Sequence, residues 1–110
     1  MANDEDYPYI VVLITFPSEA EARKITRVLV KENLLACGNI ISGVTSIYRW
    51  EGKIAEAVEI LMVGKTRREV FLRLEARVKA LHPYRVPEII ALPLVEAYSP
   101  YLSWIDESVR

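Results

Sequence analysis

From Ile10 to Phe16 the chain is apolar without interruption and is bounded by Pro8 and Pro17, the pattern of a strand buried on both faces at the centre of a sheet. The period then changes. Ser18 followed by Glu21 forms a helix-start box, Ala22, Ile25, Val28 and Leu29 recur at helical spacing, and Arg23, Lys24, Arg27 and Lys31 occupy the other face. Next comes a long run, Ala36 to Ile54, rich in β-branched and aromatic residues. It reaches Glu51-Gly52-Lys53, where glycine supplies a turn, and a second apolar segment extends from Ile54 to Val63. These segments predict a β-hairpin whose arms are about twice the usual ~5–6 residues. Its tip projects beyond a small domain and exposes an edge that another subunit would cover.

The helical pattern returns after the hairpin. Thr66 and Glu69 repeat the helix-start box, and Val70, Phe71, Leu74, Val78 and Leu81 define a buried stripe. Glu88 to Val95 predicts a fourth strand, which Pro93, lacking an amide donor, confines to an edge or a bulge. Ser99 is the expected cap of a short terminal helix, with Pro100 suited to its first turn. The resulting order βαββαβ with a final short helix predicts an α+β, ferredoxin-like domain: an antiparallel sheet, a long central hairpin and both crossover helices on one face.

At 110 residues and 52% hydrophobic content the chain fits one domain with a real core. A net charge of -1, with both signs interspersed, offers no footprint for nucleic acid or a membrane surface. The acidic stretch Asn3 to Asp6 is unlike a signal peptide, no apolar run approaches the ~20 residues of a spanning helix, and Cys37 is the only cysteine. The expectation is a soluble cytoplasmic protein.

Three separated segments carry a family resemblance: NIISGVTSIYRWEGKI (Asn39 to Ile54), HPYRVPEIIALPL (His82 to Leu94) and YLSWI (Tyr101 to Ile105). In this order they closely resemble the CutA family of divalent-cation tolerance proteins, over a span from about Ile10 almost to the C-terminus. The resemblance implies a non-enzymatic homotrimer linked to metal tolerance, binding copper(II) or another divalent cation weakly. Some CutA proteins carry a cysteine at the end of the first strand and a doubled histidine before Pro-Tyr. Here Ile14 and Leu81 stand at two of those places, so only His82 carries over as a metal ligand.

Read as chemistry, one cysteine and one histidine cannot build a closed zinc cage within one subunit. Imidazole suits copper(II), and carboxylates or water would complete such a site. The plainer reading of His82 is a residue held by hydrogen bonds beside the HPY turn. Cys37 reads as a small core residue, and a Cys37–His82 nucleophile pair has no supporting pattern. There is no phosphate-binding loop. A further constellation, Tyr48, Trp50, Glu59, Lys65, His82, Tyr84, Glu88 and Trp104, would form an inter-subunit cleft for a small molecule if the hairpin met the HPY turn across subunits. The plainer reading makes Trp50 and Trp104 interface anchors and Glu59 and Lys65 a charge pair. The alternative function is a trimeric small-molecule sensor or scaffold similar in architecture to PII signalling proteins, although the chain has no long signalling loop.

Overall fold

A computed structural model describes residues 7–110; the acidic stretch Asn3 to Asp6 lies outside the described residues. Strand β1 (Tyr9–Phe16) leads through Pro17 into helix α1 (Glu19–Lys31), followed by the hairpin β2 (Cys37–Trp50) and β3 (Lys53–Arg67). Helix α2 (Phe71–Leu81), strand β4 (Ile89–Pro93) and helix α3 (Ser99–Ser108) complete the chain. The four strands form one antiparallel sheet in the order β2-β3-β1-β4. This is the expected ferredoxin-like arrangement, with β1 central, and Pro93 ends the edge strand β4. No helix among the described residues is long and apolar enough to cross a membrane.

Alternation along β1 divides the sheet into two unlike faces. Ile10, Val12, Ile14 and Phe16 are fully buried and pack with Ile60 and Met62 of β3 against Ala22, Ile25 and Leu29 of α1 and Leu74 and Val78 of α2. Their neighbours Val11 and Leu13 point the other way and are only half-buried. The unbroken apolar run of β1 predicts burial on both faces, but this chain supplies a full layer of helices to one. On the second face Ile90 and Leu92 of β4, opposite Leu13 and Val11, stay about half exposed.

The hairpin has arms of 14 and 15 residues and stretches along a molecule 43 Å long. Trp50 pairs with Lys53, so the turn has two central residues, Glu51 (φ 50°) and Gly52 (φ 78°), both in the left-handed region that a tight primed turn requires. Between Ile41 and Val44 two residues of β2, Ser42 and Gly43, stand opposite one of β3, Ile60, a bulge accommodated at Gly43 (φ 74°). Beyond the helices the hairpin carries exposed apolar side chains, Ile47, Trp50, Ile54 and Val58, each more than 60% accessible.

Two helix starts differ from the expected caps. Ser18 does cap α1, its Oγ accepting from the Glu21 amide at 3.2 Å. Thr66 caps nothing: it is buried within β3 and donates its hydroxyl to the Leu34 carbonyl at 2.7 Å, while Glu69 receives Arg67 Nε at 2.9 Å. Pairing of Arg67 with Tyr9 extends β3 into the box, and a 3-10 turn, Arg68–Val70, delivers the chain to α2 with Val70 in the capping position. Likewise Tyr98 precedes α3, leaving Ser99 inside it, and Pro100 occupies the first turn as expected. Helix α3 is held by buried Ile105 and Val109 and by Asp106, which accepts from the Tyr9 hydroxyl at 2.8 Å and pairs with Arg67.

Candidate functional site

The loop that follows α2 folds over the sheet where the hairpin leaves the core. His82 terminates α2, is 7% exposed and lies nearly parallel to the Phe16 ring, with centroids 4.9 Å apart and an interplanar angle of 20°. Both ring nitrogens are committed. The Thr15 carbonyl, 2.7 Å from Nε2, only accepts, so Nε2 carries the proton; Nδ1 accepts the Tyr84 amide at 3.0 Å. The ring therefore fastens the loop to β1 in one tautomer and sets the direction of Tyr84. The Tyr84 hydroxyl donates to Glu59 Oε2 at 2.7 Å. Burial, and then the hydrogen bond and charge of Glu59, push the Tyr84 phenol up to about 12, so it remains a donor through neutral pH.

This connection closes one side of a groove of about 890 Å³. Ser46, Tyr48 and Trp50 recur at the two-residue period of β2 and share a face with Glu59 of β3, while Pro83, Arg85, Val86 and Glu88 come from the loop. Tyr48, Trp50, Glu59, Tyr84 and Glu88 thus line one groove of a single chain, with His82 behind Tyr84. Ser46 was legible from its spacing to Tyr48 and Trp50. Arg85 and Val86 lie inside the HPYRVPEII segment, but only the fold of the loop turns them toward the hairpin.

Lys65 and Trp104 do not join this groove within the chain. Lys65 lies six residues beyond Glu59 along β3, about 20 Å at ~3.3 Å per residue, and donates to Asn39 rather than pairing with Glu59. Across from it stands Cys37, half-buried instead of in the core, because Ala36 takes the inward position where β2 begins. Cys37 Sγ lies 3.5 Å from the Tyr101 hydroxyl, whose ring meets Trp104 at 5.4 Å. The bond to Cys37 and burial push Tyr101 up to about 12. Cys37 and His82 therefore occupy opposite ends of the sheet. Among the described residues no three His, Cys, Asp or Glu side chains converge on a metal position.

The order β2-β3-β1-β4, the overlong hairpin and the groove beside the HPY loop define a ferredoxin-like α+β protein with an extended hairpin. The CutA1 divalent ion tolerance protein profile matches residues 10–108, and the chain belongs to that family. It is 55% identical over 98 residues to the divalent-cation tolerance protein CutA of Thermus thermophilus, covering 89% of this chain and 95% of that one. The solved Thermus structure superposes with a TM-score of 0.91 at 53% identity, over 93% of this chain and 99% of that one. The CutA structure from Archaeoglobus fulgidus, described as periplasmic, gives 0.90 at 41% identity over 93% and 99% of the two chains. Longer relatives also match: the chloroplastic CutA of Arabidopsis thaliana is 42% identical over 94% of this chain but only 57% of its own.

Proposed function

We propose that the protein acts in divalent-cation tolerance as a non-enzymatic homotrimer. The observation that carries this reading is the uncovered second face of the sheet, continued by the open edge and exposed apolar side chains of the hairpin. A cyclic trimer lays each edge and face against the next subunit and closes without leaving a free edge. Light scattering on the purified protein tests this: the expected mass is three times that of the chain, and a stable monomer at micromolar concentration rejects the assembly. A cytoplasmic location fits a chain with one cysteine, and cell fractionation checks it against the periplasmic description of the Archaeoglobus relative.

Copper(II), in this reading, binds weakly at His82. The metal must displace either the Tyr84 amide from Nδ1 or the proton from Nε2, and then find carboxylates, water or a second subunit's imidazole to complete its shell. Calorimetric titration of copper(II) should show weak binding that His82→Ala removes; equal binding by both proteins puts the metal elsewhere. The groove favours a second reading, a small-molecule sensor or scaffold. Its aromatic walls and few polar groups support that reading.

A further inference from the structure

We draw no further inference here: the strongest candidate, the basic groove between α1 and the open edge of β2 lined by Arg23, Thr26, Arg27, Lys31 and Ile40, borders an edge that the proposed trimer lays against the next subunit, and nothing in the structure shows what covers it.

Discussion

His82 shows how one side chain can organise a site through both of its ring nitrogens. A donor at Nε2 and an acceptor at Nδ1 join the end of β1 to the loop, and Tyr84 then reaches Glu59. Replacing His82 with Ala strands the Thr15 carbonyl and the Tyr84 amide and empties the space against Phe16. The expected loss is about 3 kcal/mol of stability in urea unfolding, from unsatisfied buried groups plus a cavity. Tyr84 and Tyr101 make a second test. Each has a folded pKa of about 12 against an ordinary 10.0, so between those values the unfolded chain releases a proton that the folded one keeps. Their contribution is therefore complete below about pH 10 and fades as pH rises toward 12. Tyrosinate absorbance should show late-ionising phenols, one of which Tyr84→Phe removes and another Tyr101→Phe; an unchanged curve in either variant refutes that assignment.

Among the elements, the hairpin tolerates one unfavourable backbone. Gly52 suits its positive φ, but Glu51 at φ 50° places an ordinary side chain in the left-handed region. Asparagine is favoured there in a primed two-residue turn. Glu51→Asn should raise stability by about 0.5–1 kcal/mol, since ordinary residues meet a penalty of ~1–2 kcal/mol in that region. Denaturant titration at constant protein concentration measures it, and a drop in midpoint refutes the turn argument. The start of α2 illustrates competition between a local and a distant partner. Leu34 offers Thr66 a buried carbonyl, and a hydroxyl used there is lost to helix capping.

For the whole molecule the dominant fact is asymmetry of cover. The helices complete one core, while the second sheet face and the hairpin beyond it leave Trp50 63% and Ile54 66% accessible. Trp50 stands one residue before the turn, outside the reach of its own core. If assembly covers it as a central anchor, Trp50→Ala should weaken the trimer by about 2 kcal/mol or more. The measurement is concentration-dependent unfolding followed by light scattering. Unchanged trimer stability places Trp50 outside the interface and leaves it a groove wall alone.

Sequence by itself determined the order of elements, the central place of β1, the length of the hairpin and its turn, because each depends on local period and on residues with restricted backbones. It also carried the family, through three segments whose order a short coincidence would not reproduce. Only the tertiary structure decided how the polar residues were grouped. Lys65 and Glu59 share one strand and one face, yet strand rise separates them by about 20 Å, and Lys65 turns to Asn39. Parity at the start of β2 put Ala36, not Cys37, into the core. The loop after α2 joined Tyr84 to Glu59, two residues 25 apart in the chain. Such contacts depend on where separate elements pack, and periodicity within each element carries no record of the distance between them.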